Sequence, residues 1–517
     1  MTPTRRRFLQ TATSTAVLGL ADVSAFRLLA AAEAEPATTT VDMIRFGQDL
    51  EPIVRLIEET PRERCIPALV ERLRHGLPYR HFLSAIFLAA LRKLDSHHAV
   101  YKIHSAHQIS LDLPADEMLL PLFWAVDGYK WQQERFPSPP MAPFTGSLPS
   151  ADQAVAAFQD AMKRFDYEGS ERAVVSLVRN LGLAQAMEQL WPYACRDVSL
   201  IGHRAISVAN SCRVLNTIGA QHAENVLRFV VRDLYHRGGR QDQYYQRNVA
   251  RVDQHLDKLP PAWASGKADP VATTELCALL RQGKSEEGCD LAAKQLAQGI
   301  GSQTIWDAVH VASAELLILH RSSSGMSNRP LHVNTTAHAL HHAFGAAISP
   351  QTRLLTLLQA VAWVADFMRI QLGEMNLHDG TLTDLDGAPL PASPSDTVAE
   401  VFSALPPHTH NFDPATKTGS GHNLIKPEDR IKASRTVYAL AKEHPESVRL
   451  FLRAARSWLA VKATVEAHEY KLPAALFEDY ELVSPRWRPR LLAASVRWLH
   501  GKQSPESFAI QQARAAM

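Results

Sequence analysis

The sequence predicts an all-α protein, and three observations lead to that prediction. Apolar residues recur every three or four positions from about residue 40 onward, as in DMIRFGQDLEPIVRLIEET and YRHFLSAIFLAALRKL. No set of segments alternates apolar and polar residues as strands do, and no strand–helix–strand alternation is present. Pro- and polar-rich breaks at 136–150, 258–271, 321–330 and 379–420 separate the helical stretches.

Length and composition indicate one large domain. The chain has 517 residues, of which 46% are apolar and 21% charged, as is typical of globular proteins. No period of about 34 to 47 residues recurs, so a repeat solenoid is not expected. We expect a single helical domain over 40–517, or two helical halves packed together. The net charge of +2 and the 7% aromatic content argue against binding to nucleic acid.

The first 34 residues have the pattern of a twin-arginine export signal. Arg5 and Arg6 precede a modest apolar stretch and a run of small residues. A membrane anchor or an amphipathic helix is the alternative, but Asp22 and Arg27 interrupt the apolar stretch. We therefore expect cleavage of 1–34, the twin-arginine translocase as a partner, and a periplasmic or otherwise exported protein without a stable membrane span. Because this route carries folded proteins, often after cofactor uptake, it also favours a bound cofactor.

The cysteines form no metal or haem motif. Neither CxxC nor CxxCH occurs, so zinc ribbons, cysteine-bound clusters and c-type haem are not expected. One or two disulfides are compatible with export, but mostly buried free thiols are the simpler interpretation. The five cysteines are Cys65, Cys195, Cys212, Cys277 and Cys289.

Histidine is the unusual residue, with 23 copies that fall in clusters. A lone histidine on an apolar helix, such as His310, is usually a hydrogen-bonded core residue. His338, His341 and His342 have i, i+3, i+4 spacing and share a face, where two can bind a metal or all can form a solvated stripe. HExxH, paired ExxH, GxSxG, GxGxxG and phosphate loops are absent, so the sites that those motifs mark are not expected.

The segment GSGHNLIKPEDRIKAS (419–434) places His422 and Lys426 four residues apart, at a predicted helix start. Positions i and i+4 of a helix share a face, so both side chains can reach one ion. Pro427 suits the first helical turn, and Glu428 suits its N-terminal end. A solvated lysine before a helix is the alternative interpretation.

Four short motifs, in their order along the chain, resemble the questin oxidase-like family. An early His-His run is matched by His97 and His98 in SHHAVY, and a central Gly-His helix start by His203. A later His-x-x-Thr element is approximated by LHVNTTAHAL, headed by His332, and a final His-x-x-Ile-Lys element is matched by the segment that begins at His422. The central start reads Gly-His-Arg here, where the family has Gly-His-Pro.

The resemblance implies an all-helical enzyme that oxygenates or cleaves polycyclic aromatic rings, with non-haem iron held by several histidines. It also implies a catalytic lysine that is carboxylated and binds the Fe(II) through oxygen, and Lys426 stands in that position. A lysine must have a neutral amine to react with carbon dioxide and form a carbamate. The carbamate is negatively charged, so it offsets part of the positive charge of the metal. The metal ligands expected on this basis are His98, His203, His332, His422 and Lys426. The reserve ligands, or partners of ligands, are His97, His107, His310 and His338.

The expected function is an exported mononuclear metal-dependent oxidoreductase, a non-haem iron oxygenase that acts on an aromatic or polycyclic small molecule. A non-catalytic periplasmic scaffold that binds partner proteins is the alternative. A hydrolase-like zinc or copper site is a third interpretation. Metal analysis distinguishes among them, because the scaffold would bind no metal and would lose no stability on chelation.

Overall fold

The structure is a computed structural model. It describes residues 42–93, 97–196, 201–236, 243–319, 330–374, 385, 393–410, 423–424 and 430–517. The predicted export signal, His422 and Lys426 lie outside the described residues.

The described residues form 21 α-helices, which confirms the predicted all-α class. The first nine are α1 (Glu51–Glu59), α2 (Arg62–Arg74), α3 (Tyr79–Lys93), α4 (His97–Leu111), α5 (Leu120–Arg135), α6 (Ala154–Arg164), α7 (Tyr167–Ala194), α8 (His203–Ile218) and α9 (Ala223–His236). The next seven are α10 (Gln243–His255), α11 (Pro270–Arg281), α12 (Ser285–Ala297), α13 (Ser302–Leu319), α14 (Leu331–Ala346), α15 (Pro350–Glu374) and α16 (Pro394–Ala404). The last five are α17 (Ile431–Glu443), α18 (Val448–Lys462), α19 (His468–Leu482), α20 (Arg488–Ser495) and α21 (Phe508–Ala516).

Two short strands, β1 (Thr409–His410) and β2 (Asn423–Leu424), form one antiparallel pair. Thr409 lies opposite Leu424, and His410 lies opposite Asn423. Within the part of the chain that the structure describes, this pair is the whole of the sheet structure.

Local sequence explains where several helices begin. The Asp269 carboxylate accepts a hydrogen bond from the backbone N–H of Val271 at 2.8 Å, and Pro270 occupies the first turn of α11. The first backbone N–H groups of a helix lack partners within the helix. Asp269 accepts a hydrogen bond from one of them, and Pro270 has no N–H that needs a partner. Ser393 caps α16 in the same way, so a helix lies inside the predicted break at 379–420.

One continuous apolar core runs through the described residues, in agreement with a single domain. Its largest members include four tryptophans that are each 1% exposed or less, namely Trp124, Trp191, Trp306 and Trp498. All five cysteines are buried and free, which confirms the free-thiol interpretation. None of the described helices combines the length with the apolar character needed to cross a membrane.

Four helices form a closed ring inside this fold. Helix α4 packs on α8, α8 on α14, α14 on α19, and α19 packs back on α4. The ring matters for function because bundle interiors are where helical proteins build metal and ligand sites.

Candidate metal centre

A histidine stands at the N-terminal end of each helix of the ring. His98 is the second residue of α4, His203 the first of α8, His332 the second of α14 and His468 the first of α19. Three of these side chains are described, and each is at most 4% exposed. We call His203, His332 and His468 the triple-histidine cluster.

The rings of the triple-histidine cluster pack edge to face. The centroids of His203 and His332 are 4.8 Å apart, and those of His332 and His468 are 4.9 Å apart. The Nε2 atoms of His332 and His468 lie 3.3 Å apart in hydrogen-bonding geometry. Because a hydrogen bond needs an acceptor, one of these two nitrogens keeps a lone pair facing its neighbour, as a metal ligand must.

Gly202 explains how α8 approaches α14 so closely. Its φ is +71°, a left-handed conformation that glycine adopts without steric cost. A Cβ at this position would lie 1.8 Å from the Thr336 side-chain oxygen. Thr336 also donates a hydrogen bond to the Ile201 carbonyl oxygen at 3.3 Å. The absence of a side chain at 202 therefore lets His203 reach His332.

Glu466 orients His468. Its carboxylate contacts His468 Nδ1 and accepts a hydrogen bond from the His468 backbone N–H at 3.2 Å. A carboxylate only accepts, so Nδ1 carries the hydrogen, and in the neutral ring the lone pair is then on Nε2. Nε2 is the atom that faces His332. Carboxylate–histidine pairs of this kind commonly orient metal ligands.

Helix α4, the fourth helix of the ring, contacts the triple-histidine cluster through Tyr101. The Tyr101 ring lies 6.4 Å from the His203 ring, and its hydroxyl donates to the His203 carbonyl oxygen and to Asp233. The Lys471 ammonium nitrogen lies 5.5 Å from the centre of the Tyr101 ring. These contacts tie α4, α8 and α19 together at the end of the ring that carries the histidines.

A small pocket of about 20 Å³ lies one to three helical turns from those histidines. All of its lining residues come from the four helices of the ring. They are His104, Ser105, Gln108, Ile206, Asn210, Arg213, Thr335, His338, Ala339, Lys471, Ala474, Ala475 and Glu478. The four helices of the ring therefore place a small, largely polar pocket close to the histidine cluster.

His104 is the polar side chain of that pocket that most needs a ligand. It is 3% exposed, and burial lowers the pKa of its ring well below the ordinary value. Neither ring nitrogen has a hydrogen-bond partner among the described residues. A buried group without partners is uncommon in a native protein unless something binds there.

The opposite end of α19 carries an ionic network. Asp479 lies 2.6 Å from His338 Nδ1 and 3.2 Å from His310 Nδ1, and Glu478 lies 2.9 Å from His338 Nε2. Burial alone would lower the pKa of His338, but Asp479 and Glu478 outweigh burial and raise it to about 9. The Arg213 guanidinium contacts Glu478 and lies 2.6 Å from His338 Nε2. A protonated imidazole has no lone pair for a metal. We call these five residues the acidic network.

Two of the reserve residues, His310 and His338, are therefore distant from the triple-histidine cluster. Asp479 is eleven residues after His468, which corresponds to about 16 Å along a helix, so His310 and His338 lie well away. His107 Nδ1 is 2.9 Å from the Tyr79 hydroxyl. His97 begins α4, beside His98.

A second group of side chains that can bind a metal includes Glu469, the residue that follows His468 in α19. His408, Glu469 and His500 each offer one atom within 4.8 Å of the others. We call them the His–Glu–His cluster. Burial and the neighbouring His500 lower the pKa of His408 to about 3, and these histidines hold the pKa of Glu469 well below its ordinary value.

Of the predicted ligands, the structure brings His203 and His332 together and places His98 at the same end of the ring. Sequence reasoning missed His468 and Glu466, although the polar run EAHEYK (466–471) in a largely apolar region is a signal for them. It also missed Lys102, a buried residue four positions after His98. Burial lowers the pKa of the Lys102 amine to about 7.

Comparison with protein-family models, with curated proteins and with solved structures finds no match to this chain.

Proposed function

We propose that the protein is an exported metal-dependent oxidoreductase, a non-haem iron oxygenase of aromatic or polycyclic small molecules. The observation that carries the proposal is the meeting of His203, His332 and His468, from three helices that also line a small pocket. The residues fit a metal: imidazole nitrogens suit Fe(II), and Glu466 orients His468 as a ligand is commonly oriented. Bound iron supplies the electron-transfer and dioxygen chemistry.

The remaining chemistry belongs to side chains of this chain. The triple-histidine cluster is buried, so polar interactions around it are stronger than they would be in water. Ile206, Ala474 and Ala475 offer an apolar wall to an aromatic ring. His104 is neutral and unpartnered among the described residues, so it can exchange a hydrogen bond or a proton with a substrate hydroxyl.

Lys426 is proposed as the carboxylated oxygen ligand, and His98 and His422 as further imidazole ligands. These roles rest on the resemblance in sequence. Replacing Lys426 with Arg removes the possibility of a carbamate and keeps a positive charge. We expect K426R protein to bind less iron, and equal iron content in K426R and wild type would reject the lysine ligand.

The test is metal analysis of mature protein purified without a polyhistidine tag and loaded anaerobically with Fe(II). Wild type is expected to retain iron, whereas His332→Gln and His468→Gln lose it. His338→Gln is the matched control, because it removes a buried imidazole that belongs to the acidic network. Oxygen uptake with a hydroxyanthraquinone probe should follow the iron content.

Two results would contradict the proposal. Iron content that is the same in H332Q, H468Q and H338Q would place the ion elsewhere. If the wild-type protein binds no metal and its melting temperature does not rise when metal is added, the scaffold interpretation is favoured instead.

Export is tested separately. Replacing Arg5 and Arg6 by Lys in a full-length fusion is expected to retain the protein in the cytoplasm, because the twin arginine is the feature that the translocase reads. Unchanged periplasmic fractionation would reject this route.

A further inference from the structure

We propose that the His–Glu–His cluster is a second site for a divalent transition-metal ion, separate from the triple-histidine cluster. His408, Glu469 and His500 supply two imidazoles and one carboxylate, a ligand set that Zn²⁺ and Fe²⁺ both accept. The ion would connect three parts of the chain that are distant in sequence.

The two histidine–carboxylate distances within the cluster match those between ligands of one ion. His408 Nδ1 lies 3.2 Å from Glu469 Oε1, and His500 Nε2 lies 3.0 Å from Glu469 Oε2. With metal–ligand bonds of about 2.0–2.2 Å, neighbouring ligand atoms are roughly 3.0–3.5 Å apart. The two imidazole rings also face each other, with centroids 3.9 Å apart.

The cluster is buried and incompletely satisfied. The three side chains are at most 2% exposed. His500 Nε2, the nitrogen that faces Glu469, forms no hydrogen bond of good geometry within the part of the chain that the structure describes. A purely structural histidine–carboxylate network would leave Nε2 without a well-formed hydrogen bond, at a free-energy cost, whereas a metal ion bound to Nε2 gives it a partner.

Surrounding groups hold the ligands in place without the ion. The Thr464 hydroxyl donates to Glu469 Oε1 at 3.1 Å, and the Thr464 backbone N–H donates to Oε2. The Arg430 guanidinium donates to the carbonyl oxygens of Pro406 and Leu499, which lie close in sequence to His408 and His500. The carboxylate is thus oriented, and both histidine-bearing segments are fixed against each other, as in a preorganised metal site.

The two clusters point in different directions from one helix. His468 and Glu469 are consecutive on α19, so their side chains leave the helix about 100° apart. His468 contacts Glu466 and His332, whereas Glu469 contacts Thr464, His408 and His500. The ligands are not shared, so each site can lose its ion alone.

The test uses variants that keep the hydrogen-bonding shape but remove the imidazole. Asn reproduces the Nδ1 position of His408, and Gln reproduces the Nε2 position of His500, while both amides are poor ligands for transition metals. Mature H408N and H500Q proteins are loaded with Zn²⁺ or anaerobic Fe²⁺, washed, and analysed for metal. His444→Gln, at an exposed histidine paired with Glu446, is the control.

Wild type and H444Q are expected to retain about two ions per chain and each of H408N and H500Q about one, with H332Q losing the other. The metal that remains bound identifies the ion preferred at each site. Chelation should lower the melting temperature of wild type more than that of H500Q. If H500Q and H408N are folded by circular dichroism and retain as much metal as wild type, the second site is wrong.

The same data separate this inference from the proposed function. If metal is lost from H332Q only, the catalytic centre stands and the second site falls. If it is lost from H500Q only, the second site stands and the proposed catalytic centre falls. Should an imidazole variant fail to fold, Glu469→Gln provides the same comparison at the carboxylate, and unchanged metal content in it rejects the second site.

Discussion

The two ends of α19 use histidine in opposite ways. At the N-terminal end, His468 faces His332 across 3.3 Å between ring nitrogens, and a carboxylate holds only its far side. At the C-terminal end, His338 is held by a carboxylate at each ring nitrogen. An imidazole between two carboxylates is stabilised as a cation, whereas imidazoles that face each other cannot all be protonated without repulsion. The group that contacts the imidazole, and not the residue type, therefore distinguishes a structural histidine from a candidate metal ligand.

The largest expected effect comes from the structural end. Asp479→Asn removes the negative charge that His338 and His310 contact, so buried positive charge is left with less compensation. We expect a loss of about 3–5 kcal/mol in the free energy of unfolding, measured by urea denaturation, with metal content unchanged. Asp290→Asn, at an exposed ion pair with Arg251, should cost about 1 kcal/mol or less. Equal losses in the two variants would show that the acidic network is not structural.

Gly202→Ala tests the close approach of helices at the ligand end. The left-handed φ and the contact with Thr336 should together cost about 2–4 kcal/mol and weaken metal retention, because His203 moves away from His332. Gly345→Ala is the matched control: a Cβ there meets nothing within 4 Å, and alanine is the better helix former. A G202A protein as stable and as metal-rich as G345A would contradict the role assigned to Gly202.

The pH dependence of stability sharpens the contrast. The pKa of His338 rises from 6.5 to about 9 on folding, so its contribution is fully present below about pH 6.5 and is lost as the pH rises through about 9. We expect the stability difference between wild type and His338→Gln to shrink over this window by on the order of 1–3 kcal/mol. Urea denaturation at pH 6, 7.5 and 9 measures it. A difference that stays constant, or grows towards high pH, would mean that His338 is neutral.

The smallest effect on stability is expected at His104. His104→Leu removes a buried imidazole that lacks partners among the described residues, so the free energy of unfolding should stay within about 1 kcal/mol of wild type or rise. His107→Leu, on the same helix, removes a hydrogen bond to Tyr79 and should cost about 1 kcal/mol. Binding of a hydroxyanthraquinone, followed by its absorbance, should weaken about tenfold in H104L. Unchanged binding would show that His104 does not contact the ligand.

Periodicity predicted most of the fold because apolar stripes at helical spacing occur in most of the chain. It did not indicate α16, which lies within a Pro-rich break, or α19, where charged and apolar residues occupy the same buried helix. Helix α19 is buried because its polar side chains find partners across long sequence separations, as Asp479 does with His338 and Glu469 with His408. Such partners have no signature in linear spacing.

For the candidate site, chain order and motifs gave His203 and His332 but could not give their contact. That contact depends on Gly202 at a left-handed turn and on the packing of α8 against α14. His468 was missed because a lone histidine in a helix is usually an ordinary core residue. Glu466, two positions earlier, can be recognised as the partner of His468 only from the structure of the helix start, where the carboxylate contacts the imidazole.

The most direct test of the central claim is anomalous X-ray diffraction from crystals of the iron-loaded protein, recorded on both sides of the iron absorption edge. The account predicts a peak within about 2.0–2.4 Å of imidazole nitrogens of His332 and His468, at the N-terminal end of the four-helix ring. Iron density found only at other places, or none at the triple-histidine cluster in fully loaded protein, would contradict it.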